Sequence, residues 1–261
     1  MQTIDASKSL EYQPDSSADP MSGEELDRAA NQIVDILNTT GYAHIHGHTT
    51  VEWCEGIASR LGTVAGKSDI IFDPARDAAQ RKTRTFKHER PSVYLGGDLG
   101  LHNDNPYWNV LGWYCIEQDA AVGASILIDT SDITRHFSQE ELELLCATHL
   151  LVPSRDEAGK EIALPVPVLA RSGERYGIYW VSWLKLENYE DAQKNALDRL
   201  GEWVLHKQET EAIEIRLQSG ECLFIDNSRM LHGRRSLSEK SRRHLIRLSI
   251  GSPRVGVPRA S

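Results

Sequence analysis

SGECLFIDNSRMLHGRRSL, residues 219–237, is followed closely by RRHLIRLSI, residues 242–250, and these two pieces decide the fold. Gln218 to Glu221 carries turn residues, and the apolar, aromatic and β-branched run 222–226 after it has the composition of a strand. In 242–250 the side chains alternate: positions 243, 245, 247 and 249 share one face, while His244, Ile246, Leu248 and Ile250 share the other. Arg243 and Arg247 therefore project together from an otherwise apolar strand. Two guanidinium groups are costly to bury there unless an anion meets them, and their planar fork suits a carboxylate. A dicarboxylic keto acid would satisfy both needs.

Upstream, the Gly-rich stretch VYLGGDLG leads into His102-Asn103-Asp104. The pair is expected to open a strand or to close a loop leading into one. In extended chain residues i and i+2 point the same way, so His102 and Asp104 can reach one metal ion while Asn103 faces elsewhere. His232, from a distant strand, completes a set of two imidazoles and one carboxylate. That set leaves open positions, the arrangement of non-heme Fe(II) sites that bind O2 and a co-substrate together. A second histidine cluster, HIHGH at residues 44–48, also has the i, i+2 spacing. It directly follows a helical pattern and has no carboxylate nearby in the sequence, so it reads as a structural strand. The other histidines, such as His88, His136, His149 and His206, lie in polar or helical contexts and read as surface or packing residues.

The order of these parts resembles the taurine dioxygenase/clavaminate synthase-like group of Fe(II)/2-oxoglutarate oxygenases. The likeness rests on LGLHNDNPYW around His102 and Asp104, and most densely on the D-N-x-R-x-x-H-G-R run ending at Arg234. It implies Fe(II), 2-oxoglutarate and O2 as cofactors, and His102, Asp104 and His232 as metal ligands and catalytic residues. Arg243 follows His232 by 11 residues and Arg247 by 15. The resemblance implies that the first grips the distal carboxylate of 2-oxoglutarate, and that the second helps with the co-substrate or the substrate. Many relatives place a threonine on that carboxylate after the first ligands. Here the corresponding run is Gly123-Ala124-Ser125-Ile126, with Ile126 at the threonine position, and Ser125 is the candidate to supply the hydroxyl. Asp104 is retained where related halogenases carry a small residue, which favours hydroxylation. Desaturation, cyclisation and epoxidation use the same chemistry and are alternatives. A catalytically silent jelly-roll binding protein would not need the intact ligand set, and a metal-dependent hydrolase would leave the in-phase arginines without a keto acid to hold.

The 261-residue chain carries a formal charge of −9, which disfavours nucleic acid or an anionic membrane as a general partner. No stretch approaches the ~18 continuous apolar residues of a membrane span, and the N-terminus lacks the basic and apolar regions of a secretory signal. Cys54, Cys115, Cys146 and Cys222 are widely spaced, which favours reduced thiols and a cytoplasmic protein over a disulfide framework or a zinc site. Arginines concentrate around His232, and Lys and Arg crowd residues 67–90. A positive pocket in a negative protein favours a small anionic substrate such as an amino acid or a derivative. Arg247, Tyr94, Asn105 and Tyr107 are the candidates to bind it.

Residues 1–20 read as a loose arm and 21–261 as one domain. The Ser22-to-Glu25 capping signature opens an amphipathic helix that runs to Gly41, and strand 42–46 follows. A helix fits 50–61, and the irregular stretch 64–100 reads as a lid. Strands are expected near 109–117, 124–128, 148–153 and 163–170, with a helix from Ser138 to about 147. RSGE at 171–174 is a hairpin turn, residues 188–207 a long helix and 211–216 a strand. This mainly β pattern with flanking helices, and ligands on strands far apart in sequence, points to a double-stranded β-helix, or jelly-roll, core. The resemblance implies the same fold.

Overall fold

A computed structural model of the protein describes residues 9–11, 21–47, 49–73, 96–155, 161–182 and 189–257. In chain order the strands are β1 (Ser9–Glu11), β2 (Tyr42–His46), β3 (Thr63–Ile71), β4 (Leu99–His102), β5 (Val110–Glu117), β6 (Ser125–Asp129) and β7 (His149–Arg155). They continue as β8 (Glu161–Pro167), β9 (Leu169–Ser172), β10 (Arg175–Ile178), β11 (Ile213–Ile215), β12 (Cys222–Asp226), β13 (Met230–Arg234) and β14 (His244–Gly251). The helices are α1 (Gly23–Thr40), α2 (Val51–Leu61), α3 (Gln139–Ala147) and α4 (Asp191–Thr210).

A six-stranded sheet in the order β1-β2-β12-β5-β14-β3 faces a four-stranded sheet in the order β11-β6-β13-β4. All pairings in them are antiparallel except β1 with β2. The layer between the sheets is built from inward residues of both: Leu111, Leu223, Ile225 and Leu245 from the larger, Leu127, Ile215 and Met230 from the smaller. Alternation then sends the next residues outward. Ile45, Phe224, Ile246 and Leu248 pack under α1 and α2, and Ile126, Ile128 and Leu231 pack under α3 and α4. Away from the exposed edge strand β3, each sheet is thus buried on both faces, the jelly-roll arrangement with flanking helices.

The helix ends show why the chain turns where it does. Ser22 caps α1 by accepting from the Glu25 N–H at 3.3 Å, but the Glu25 carboxylate turns to Arg28 instead of reaching back, so only half of the expected box forms. At α3 both halves form between Ser138 and Glu141. Gly41 ends α1 at φ 84°, a left-handed conformation that glycine adopts without strain.

Two expectations need correction. Residues 64–71 of the supposed lid belong to a strand, β3, paired with β14; only Ile70 of that strand is buried, so the sequence carries no alternation to mark it. Leu99 and Gly100 likewise belong to β4, and residues 74–95 of the lid lie outside the described residues. Within the expected N-terminal arm, Ser9–Glu11 pairs with Ser9 opposite His44, because the free edge of β2 offers backbone partners. The rest of the arm lies outside the described residues.

Candidate metal centre

β4 and β13 bring the ligands together. His102 and His232 are direct cross-strand partners, and their ring centroids stand 4.4 Å apart. A bulge between His232 and Arg234 lets the strands close in. Gly233 makes this possible, because a Cβ there would stand 2.5 Å from the Leu99 carbonyl oxygen. His102 ends its strand; it does not open one, and Asp104 follows in a loop. One ligand atom from each of His102, Asp104 and His232 lies within 4.8 Å of the other two, and all three residues are buried.

Asn103 and Asn227 hold the loop in place. Asn103, 2% exposed, donates from Nδ2 to the Asn227 carbonyl at 2.6 Å and accepts the Trp180 N–H at 2.8 Å. Its own N–H donates to the Trp180 carbonyl at 2.9 Å. Asn227 accepts the Asp104 N–H at 3.1 Å and donates to the Trp108 carbonyl at 2.7 Å. These paired amides fix where Asp104 points, and each buried group left unpaired would cost about 1–3 kcal/mol.

His102 Nδ1 is 2.8 Å from the Gly100 carbonyl oxygen. A carbonyl only accepts, so Nδ1 carries the proton and Nε2 keeps its lone pair for a metal. Nε2 stands 3.8 Å from Asp104 Oδ1, while Asp104 Oδ2 accepts from Arg247 Nη1 at 2.7 Å. The donor set, its burial and the His102 tautomer fit Fe(II).

The triad opens into a cavity that is also lined by Trp113, Ser125, Leu127, Leu223, Arg234, Arg243 and Arg247. Arg243 is 6% exposed, and its Nε donates to Gln118 Oε1 at 3.0 Å. Burial, with the like charge of Arg234 beside it, pulls its guanidinium from the usual arginine range down to about 9. Arg234, 3% exposed, is lowered too, mainly by burial. A pocket that holds two desolvated guanidinium groups favours an anion.

A pH dependence follows. A base whose folded pKa is depressed pays for its charge below that pKa, and an entering dianion offsets the cost only while the cation is present. The KM for 2-oxoglutarate should therefore stay level through neutral pH and climb above pH 9, approaching tenfold per unit at most. A flat KM to pH 10 would mean that the Arg243 guanidinium keeps its charge there.

The structure brings His102, Asp104, His232, Arg243, Arg247 and Ser125 to one cavity. Ile126 packs outward under α3 and α4, which leaves Ser125 as the cavity-facing residue of that pair. Asn105 and Tyr107 do not line the cavity: the Asn105 side chain accepts the Tyr107 N–H in a turn, and Tyr107 is exposed. Tyr94 lies outside the described residues. The sequence assigns no role to Gln118 or Asn227, places Asn103 only as facing away from the metal, and offers Arg234 only among the arginines concentrated around His232. Arg234 and Asn227 sat inside the D-N-x-R-x-x-H-G-R run, whereas nothing in the sequence marks Gln118.

The fold and the site define a non-heme metal oxygenase of jelly-roll type. The family model for the taurine catabolism dioxygenases, the TauD, TfdA family, matches residues 9–249. The chain belongs to that family, and is by class an Fe(II)- and 2-oxoglutarate-dependent dioxygenase. Among solved structures it is similar to an asparagine oxygenase in complex with Fe(II), 2S,3S-3-hydroxyasparagine and succinate. That match has 16% identity and a TM-score of 0.63, covering 91% of this chain and 86% of that one. It is also similar to the non-heme iron oxygenase OrfP in complex with Fe and alpha-ketoglutaric acid, at 17% identity and a TM-score of 0.63, covering 90% and 85%. A further OrfP structure, in complex with (3S)-hydroxy-L-Arg, matches at 18% identity and a TM-score of 0.64, covering 88% and 84%.

Proposed function

We propose that this protein hydroxylates a C–H bond of a small, carboxylate-bearing substrate, an amino acid or a close derivative. The observation that carries the reading is the cavity in which the His102-Asp104-His232 set meets three arginines. When bound there, iron and 2-oxoglutarate supply O2 activation, coupled to loss of CO2 from the keto acid. Overall, substrate, O2 and 2-oxoglutarate give hydroxylated substrate, succinate and CO2.

The residues divide the work by position. His102, Asp104 and His232 hold the metal. Arg243, oriented by Gln118, meets the distal carboxylate of 2-oxoglutarate, and Ser125, opposite Arg234 across the β6–β13 pair, supplies a hydroxyl beside it. Arg247 positions Asp104 through its Nη1, and its buried Nε has no hydrogen-bond partner among the described residues. A substrate carboxylate satisfies that N–H. Trp113, edge-on to His232 at 5.2 Å between centroids, and Leu127 and Leu223 supply apolar walls that keep water from the reacting carbon. The solved structures with hydroxylated asparagine and arginine support an amino-acid substrate.

The test is a substrate screen in two stages. Anaerobic Fe(II) plus 2-oxoglutarate should give a visible charge-transfer band, and amino acids that perturb it should stimulate O2-dependent succinate formation. Each active amino acid is then compared with its decarboxylated amine. Loss of both responses in the amine is the expected result. Amines that serve as well as the parent acids would refute a carboxylate-bearing substrate.

A further inference from the structure

The strand that read as structural, HIHGH, acquires a carboxylate from the far end of the chain. His44 and His46 stand at i and i+2 on β2, and Glu221 immediately precedes β12, which pairs with β2. Glu221 Oε2 is 2.9 Å from His44 Nε2, and Oε1 is 3.2 Å from His46 Nδ1. The two imidazole centroids are 3.9 Å apart. One ligand atom from each residue lies within 4.8 Å of the others. His44 and Glu221 are buried, whereas the His46 side chain keeps 35% exposure, an entry from solvent. Glu221 Oε2 also accepts the Gln218 N–H at 2.9 Å, which holds the carboxylate in place between the two imidazoles.

We propose that His44, His46 and Glu221 form a second metal site, for a borderline divalent cation such as Zn(II). Two imidazoles and one carboxylate are a recurrent zinc set when water fills the remaining position, and Ca2+ and Mg2+ prefer oxygen ligands throughout. Metal–ligand bonds of about 2.0–2.2 Å place adjacent ligand atoms roughly 3.0–3.5 Å apart, so the present nitrogen–oxygen separations need only sub-ångström expansion. With Nε2 on the metal, the neutral His44 ring carries its proton on Nδ1, which has no partner among the described residues. That cost is smaller than what zinc ligation returns. The site is separate from the oxygenase centre. His44, Leu223, Trp113 and Arg247 are successive cross-strand partners, three strand spacings or about 14 Å from end to end. A cation here ties β2 to the turn that opens β12, so its role is to hold the β2–β12 pairing.

The experiment counts metal on the full chain. Protein stripped of metal, loaded with Zn(II) and desalted should hold two equivalents, and the His102→Ala/His232→Ala variant should retain one. Adding His46→Ala to that double variant should remove it. The thermal midpoint of the double variant should rise with Zn(II), and His46→Ala should abolish the rise. His46 is partly exposed, so its loss leaves folding intact where Glu221→Gln, which strips a buried anion from two imidazoles, need not. One equivalent in the wild type and none in the double variant would overturn the proposal, as would zinc retention unchanged by His46→Ala. Neither result bears on whether the first site performs the oxygenase reaction, because these counts do not use turnover.

Discussion

Single alanine substitutions at His102, Asp104 and His232 should each abolish turnover, measured as succinate formed with an active substrate, and should remove most Fe(II) affinity. Each is buried and offers a ligand atom within 4.8 Å of the other two, so each loss removes one of the three protein ligands. The three substitutions differ in what else they disturb. His102→Ala strips the Gly100 carbonyl of its donor, whereas Asp104→Ala leaves Arg247 without its carboxylate. Iron binding stabilises the folded state by mass action, so Fe(II) should raise the thermal midpoint of the wild type more than that of the variants. Retained turnover in His102→Ala together with loss in His46→Ala would mean that the oxygenase centre is the other cluster.

The sequence exposed the parts of this molecule that rest on local periodicity. Alternation in RRHLIRLSI put Leu245 and Arg247 on the inner face and Ile246 and Leu248 on the outer, which is how they pack. Capping signals bounded α1 and α3 because a helix end is a local event. Non-local pairings left weaker traces. β4 has four residues and β13 five, too few for a period to show, and β13 is defined by its partners on both sides. Strand β3, at a sheet edge, buries only Ile70 and leaves Val64 and Ile71 exposed, so it has no period to separate it from a lid. The clearest loss was at His44 and His46. The carboxylate they meet is 177 residues from His44, and a search for neighbours along the chain could not find it. Asn103 shows the converse: it was expected only to face away from the metal, yet that outward direction is what lets it grip Trp180 and Asn227.

Replacement of Arg243 by alanine should raise the 2-oxoglutarate requirement by about two to three and a half orders of magnitude while folding survives. Breaking a buried ion pair by removing one partner typically costs about 3–5 kcal/mol, and each ~1.4 kcal/mol is tenfold in affinity. The cost should fall on the complex and spare the free protein. In the free protein Arg243 meets a neutral amide, Gln118, and the like charge of Arg234 disfavours its own. Its removal should leave the thermal midpoint of the metal-free protein unchanged or higher. Arg243→Lys keeps a cation but loses the planar fork, so its KM should lie between those of wild type and Arg243→Ala. Arg247→Ala should behave differently, because its Nη1 is committed to Asp104 at 2.7 Å. The loss should appear in Fe(II) affinity and turnover more than in the 2-oxoglutarate KM. An unchanged 2-oxoglutarate KM in Arg243→Ala, with a large rise in Arg247→Ala, would exchange the two roles. The carboxylate grip would then lie on the guanidinium that also braces the metal ligand.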